Sequence, residues 1–119
     1  MNRYQAFELE CSRAVAAENM ADWPTAEMHW SRAHILGQPR VGPHLRTHLA
    51  LARMYLRQNR FGDAFGQWLR FALVVPGTLL HRLPAGNTGL SNVSAFKPMP
   101  VPEDLARLIA GNERENADV

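Results

Sequence analysis

A chain of 119 residues with 46% hydrophobic and 20% charged side chains has the length and composition of one globular domain, which excludes wholesale disorder. The net charge of +2 is carried by thirteen basic residues of which only Lys97 is lysine, and the arginines form no block, so nucleic acid is not an expected partner. No apolar run reaches the roughly 20 residues of a membrane helix. The charged Arg3, Glu8, Glu10 and Arg13 argue against a secretory leader, and the single Cys11 leaves no internal disulfide. A cytoplasmic protein without a membrane partner is the expectation.

In chain order, a first helical hairpin is expected over residues 4–37. Its polar turn is Glu18-Asn19-Met20-Ala21-Asp22, with Asp22 or Trp23 as cap and Pro24 in the first turn of the next helix. A second hairpin is expected over residues 43–76, turning at Arg57-Gln58-Asn59-Arg60. At an offset of 38, Trp23 falls on Phe61, Ala26 on Ala64, Trp30 on Trp68 and Ala14 on Ala52. Such self-similarity marks a helical repeat. Leu51-Ala52, Tyr55, Phe61, Ala64, Trp68 and Pro76 make the second copy resemble a tetratricopeptide repeat. That resemblance implies small residues (Ala52, Ala64) where paired helices approach and aromatics (Tyr55, Trp68) filling the space between them.

Residues 77–102 hold four prolines (Pro84, Pro98, Pro100, Pro102) and three glycines (Gly77, Gly86, Gly89), which no helix tolerates. Their apolar content, including Leu90, Val93, Phe96 and Val101, is too high for a solvated linker, so an extended arm lying across the helices is expected. Gly86-Asn87-Thr88-Gly89 reads as a tight turn needing positive φ. A short helix is expected over residues 103–110, stopped by Gly111, and residues 112–119 read as a flexible tail. The fold class expected is all-α: a four-helix, two-hairpin array with an extended arm and a short terminal helix.

The chain as a whole is similar to a family of short, uncharacterised bacterial proteins. The residues that carry the likeness are Arg32-Ala33-His34-Ile35-Leu36-Gly37-Gln38, His44, His48, Gly86-Asn87-Thr88-Gly89 and Lys97-Pro98-Met99-Pro100-Val101-Pro102. Members of that family lie near genes for heavy-metal resistance, so the resemblance implies a metal connection.

The residues give the same direction by another route. His44 and His48, at i and i+4, share one face of the third helix, the spacing a metal ion uses. Glu27, Ser31 and His34 form a narrow stripe on the second helix. The short link between these helices makes them antiparallel neighbours, which brings His34 near His44 and sets His48 toward the level of Glu27. His34, His44, His48 and Glu27 are therefore the expected ligands of a transition-metal ion such as Zn, Cu(II), Fe(II), Ni or Co. His29 points about 140° from His34 on a helix of 100° per residue and is not expected to join them. His81 lies in the arm with nothing to fix it. Cys11 reads as a small buried apolar residue. Arg46, Arg53, Arg57 and Arg60 form a second stripe, which suits a phosphate, an acidic partner peptide or a solvated face with Glu18, Asp22 and Asp63 as pairs. The leading expectation is a non-catalytic metal-binding protein serving metal handling or resistance. The alternatives are an adaptor that receives a peptide in its helical groove, and a metalloenzyme, which needs an open coordination position beside a pocket.

Overall fold

The computed structural model describes residues 1–80 and 84–117, with no side-chain description of Asn116. Five helices follow one another: α1 Arg3–Asn19, α2 Trp23–Gly37, α3 Val41–Arg57, α4 Phe61–Leu79 and α5 Glu103–Ala117. There is no strand among the described residues. The protein is all-α, as its sequence implies.

Local chemistry sets the helix starts. Asn2 and Gln5 form a capping box on α1, each side chain bonded to the other's backbone N–H at 2.8 and 2.9 Å. Asp22 caps α2, with Pro24 in its first turn. The offset of 38 read from the sequence recurs in the backbone. Asp22 N–H donates to the Ala17 carbonyl, and Arg60 N–H to that of Tyr55, both at 2.9 Å. Ala21 and Asn59, equivalent residues of these two turns, both have positive φ, 53° and 58°. Asn tolerates that conformation, whereas Ala stores about 1–2 kcal/mol of strain in it. Replacing the exposed Ala21 by Gly is expected to raise the urea midpoint by the equivalent of about 0.5–1 kcal/mol, and an unchanged midpoint would mean the turn is not strained.

The two hairpins pack as α1 on α2 and α3 on α4, and α2 also packs on α3. Ala14, Ala26 and Ala33 are buried where α1 meets α2, and Ala52 and Ala64 are buried in the second hairpin. These small residues let the helices approach closely, so that Phe7, Trp30, Leu51, Met54 and Tyr55 fill the core. Trp30 and its equivalent Trp68 part company here: Trp30 is 4% exposed and Trp68 45%. The filling role expected of Trp68 is therefore not met. The cause is position in the array, since α3 follows and covers α2, whereas no helix covers the outer face of α4 among the described residues.

Two helices outrun their expected ends. α4 continues through Pro76 to Leu79, so the helix forgoes the one bond that a residue 76 N–H would donate back to the Ala72 carbonyl. α5 passes through Gly111 and takes in residues expected as tail. Leu105 is buried, Leu108 and Ile109 pack on the core, and the Asn112 side chain accepts from the Arg3 N–H. These tertiary ties outweigh the roughly 1 kcal/mol a helical glycine costs. At the other end of α5, Arg32 bonds Asp104 and also Glu10, itself buried.

The arm folds back on its own chain. Gln38 donates to the Pro84 carbonyl at 3.0 Å, Arg70 to that of Val93 at 2.6 Å, and Gln67 to Gly89 at 2.8 Å. Gly86 and Gly89 have φ of +73° and +75°, as the turn reading requires.

Candidate metal centre

The turn between α2 and α3 is short, and α3 begins at Val41, two residues before Pro43. This places His34 in the last turn of α2 beside His44 in the first turns of α3, with His48 one turn deeper. The three rings turn their Nε2 atoms to one point. The separations are 2.9 Å for His34–His44, 3.0 Å for His44–His48 and 3.2 Å for His34–His48. All three side chains are buried.

The opposite ring nitrogens decide what these Nε2 atoms are. His34 Nδ1 lies 2.7 Å from the Asn87 carbonyl oxygen, which only accepts, so Nδ1 is the donor. His48 Nδ1 lies 2.7 Å from Gln67 Oε1. The Gln67 amide cannot be reversed, because its nitrogen donates to the Gly89 carbonyl at 2.8 Å and to Ser91 Oγ at 2.9 Å. His48 Nδ1 is therefore also a donor. Neutral imidazole carries one proton, so the Nε2 atoms of His34 and His48 both present lone pairs to each other. His44 Nδ1 is buried without a partner. If its proton sits on Nε2, it satisfies one neighbour well and leaves the His34–His48 pair facing lone pair to lone pair. If it sits on Nδ1, three lone pairs converge and a buried donor goes unmet, at about 1–3 kcal/mol.

A proton is not held readily. Burial pushes His44 down to about 3 and His48 down to about 4, and holds His34 well below its ordinary value, with the neighbouring histidines adding to the effect on His34 and His44. A divalent cation suits the same arrangement. At metal–nitrogen bonds of about 2.0–2.1 Å, ligand nitrogens lie about 3.4 Å apart in tetrahedral and about 2.9 Å apart in octahedral geometry. The observed 2.9–3.2 Å falls within that span.

The scaffold behind the rings is specific. Asn87 donates from its side chain to the carbonyls of Ser94 and Lys97 at 2.8 and 2.7 Å and accepts from Gly89 N–H, which fixes the loop carbonyl that orients His34. Gly89 lies against the His34 ring, where a Cβ would come within 2.5 Å of Cδ2. Gly89→Ala is thus expected to displace His34 or the arm and to cost about 2–3 kcal/mol, read as a fall in Tm. A variant as stable as the wild type would remove the arm from the site.

Beside the triad lies a cavity of about 260 Å³. Its wall is largely apolar, with Leu73, Val74, Pro76 and Phe96 among the lining residues, and Arg70 is its one formally charged member among the described residues.

The remaining expected residues fall elsewhere. Glu27, expected as a fourth ligand, is not part of the cluster. Its carboxylate lies 3.5 Å from Arg60, which draws it toward the α3–α4 turn instead. His29 bonds Glu10 at 2.6 Å, outside the triad as its helical angle indicates. His81 lies outside the described residues. Cys11 is buried, and burial pushes its thiol up to about 11, against any role as thiolate. Of the arginine stripe, Arg46 pairs with Glu8, Arg57 with Glu18 and Arg60 with Asp63, while Arg53 is exposed. Arg46, Arg57 and Arg60 also lie over the rings of Phe7, Trp23 and Tyr55.

Sequence reasoning missed Gln67 and did not assign Asn87 a role beyond its turn. Gln67 had a usable signal, as a lone amide in the apolar run of α4. The carbonyl of Asn87 had none, because a backbone acceptor leaves no mark on residue choice.

A family model described as a protein of unknown function, DUF3703, matches residues 1–109. The chain belongs to the DUF3703 family. All three histidines, Gln67 and Asn87 lie within the part that defines this DUF3703 domain. No curated protein and no solved structure matches, so the likeness to tetratricopeptide repeats rests on the residues of the second hairpin and the 38-residue register. No described helix is long and apolar enough to cross a membrane.

Proposed function

We propose that this protein binds a divalent transition-metal ion through Nε2 of His34, His44 and His48, in the service of cytoplasmic metal handling. The observation that carries the reading is the pair of donor bonds to Asn87 and Gln67, which aims two buried lone pairs at each other, with His44 completing the triangle. Hydrogen bonding among the three rings alone cannot satisfy that pattern. Donor bonds at the remote nitrogen are also what orient and strengthen histidine ligands in metal sites. Three neutral imidazoles suit Zn(II), Cu(II), Ni(II) or Co(II), with Cu(II) the tightest of the series. With no carboxylate in the set, the bound ion keeps its full double charge.

The test is elemental analysis of untagged protein after exposure to each metal and desalting. One equivalent per chain is expected, and none in a His44→Ala, His48→Ala double variant. Sub-stoichiometric metal of every kind in the wild type would end the proposal.

One observation favours a metalloenzyme as second reading: the cavity borders the triad and provides space for an exogenous ligand on the ion. Turnover needs such access, and a closed coordination shell in the metal-loaded protein would count against it. The adaptor reading has less behind it. Three of the four stripe arginines have carboxylate partners within the chain, and the protein's own arm lies across its helices.

A further inference from the structure

Every exposed residue of α4 is apolar or glycine: Phe61, Gly62, Phe65, Trp68, Leu69, Ala72, Leu73, Val75, Pro76 and Leu79. The only charged residues of α4, Asp63 and Arg70, are both half-buried and turned toward the chain's own carbonyls and side chains. Scattered exposed hydrophobic residues are ordinary on a soluble protein, but a whole helix face is not.

The spacing within that face is regular. Phe61, Phe65, Trp68, Ala72, Val75 and Leu79 follow one another by four, three, four, three and four residues. At 100° per residue they stay within about 40° of a line along the helix. This is the seam of a pair of helices packed knobs into holes. Among the described residues no helix partners the seam, because α3 packs on α4 and the opposite face, with Ala64, Gln67 and Val74, is the buried one.

We infer that the seam pairs with the same seam of a second copy of this chain, α4 against α4, in a two-fold dimer. Three observations select that occupant. The first is area. Phe61, Phe65, Trp68, Val75 and Leu79 of the seam, and Leu69 and Leu73 on the exposed face beside it, are each 45–74% exposed. At roughly 100 Å² apiece they offer about 700 Å² per copy, close to the ~800 Å² per partner of a standard interface. The second is charge. A seam without charge offers no electrostatic preference for a different protein, while it is complementary to itself, as a two-fold contact demands. The third excludes a lipid surface. Helices that lie in a membrane interface carry Lys and Arg along their polar face, and α4 has one arginine, held inward by the carbonyls of Gly66 and Val93.

The pairing also touches the cavity. Leu73 and Pro76 belong to the exposed face of α4 and line the space beside the three histidines. A second copy seated on the seam roofs that space, so dimerisation limits what reaches the triad. The dimer does not depend on metal, and its test is separate from that of metal binding.

The test uses the full untagged chain in metal-free buffer. Light scattering after gel filtration is expected to give twice the monomer mass of 13.4 kDa. Phe65→Glu combined with Trp68→Glu is expected to give a monomer with unchanged far-ultraviolet circular dichroism. Should that variant lose helicity, Leu79→Lys decides, since Leu79 is 74% exposed at the last turn of α4; it is expected to raise the dissociation constant about tenfold or more. A monomeric wild type overturns the inference, as does a dimer that both variants leave intact. A wild-type monomer that co-sediments with zwitterionic vesicles overturns it in favour of a lipid surface.

Discussion

Zn(II) or Cu(II) in excess, at about a thousand times Kd, is expected to raise Tm by about 12–20 °C, and His48→Ala to abolish the rise. An ion that binds only the folded state adds about 4 kcal/mol when its concentration is a thousand times Kd. For a domain of this length each kcal/mol moves Tm by about 3–5 °C. His48 is the sharpest place to cut. Its loss removes one of three ligands and leaves the Gln67 oxygen, now buried, without its donor. The metal-free variant is thus expected to lose about 2–4 kcal/mol as well, through the cavity and the orphaned acceptor. Gln67→Leu separates ligand from support: it keeps all three imidazoles yet frees the tautomer of His48, and is expected to weaken binding about 10–100-fold. His29→Ala is the control, because His29 bonds Glu10 and not the triad. A wild-type Tm indifferent to every metal would sink the prediction, and so would an undiminished shift in His48→Ala.

Acid is expected to unfold the metal-free protein well before ordinary carboxylates titrate. His34, His44 and His48 are all held below their usual 6.5, with His44 at about 3 and His48 at about 4. In the folded chain they stay neutral, and in the unfolded chain they take protons as pH falls below about 6.5. Their neutral burial therefore costs no proton-linked stability above that value. Below it, stability falls by up to about 1.4 kcal/mol per histidine per pH unit, until the folded values are reached. Three such groups remove several kcal/mol between pH 7 and pH 5, a large share of the 5–15 kcal/mol typical of a domain. Glu8 and Asp104, held low by hydrogen bonds from Arg46 and Arg32, add their losses only at more acid pH. The urea midpoint is expected to drop by about half between these pH values and to drop less in His48→Gln. A midpoint flat from pH 7 to pH 5 would contradict neutral, buried rings.

How much of this could be read from the chain depended on which groups carry the information. The hairpins were legible because helix caps and core positions are side-chain choices: Asp22 at a cap, Ala26 and Ala64 at close approaches. The histidine triad was legible because i, i+4 spacing and a short inter-helix link together fix relative position. The failures share a different cause. Glu27 sits at a suitable angle on α2, but Arg60, from the next hairpin, competes for it, and helical angle alone does not weigh a charge partner from elsewhere. Gly111 looked like a stop because local propensity favours one there, whereas Asn112 and Ile109 gain contacts only in the folded whole. Trp68 matched its repeat position but not its surroundings, since the last helix of an array lacks the neighbour that covers earlier ones.

The link from His34 to the carbonyl of Asn87 spans 53 positions, and that from Gln67 to Gly89 spans 22. The two hairpins, by contrast, are built from neighbours in sequence and close early. A chain emerging from the ribosome therefore has its three imidazoles together while the residues that orient one of them are still unmade. On the proposed function, high-affinity capture of an ion is expected to wait for the arm, so that a nascent or C-terminally clipped molecule holds metal more weakly than the finished one.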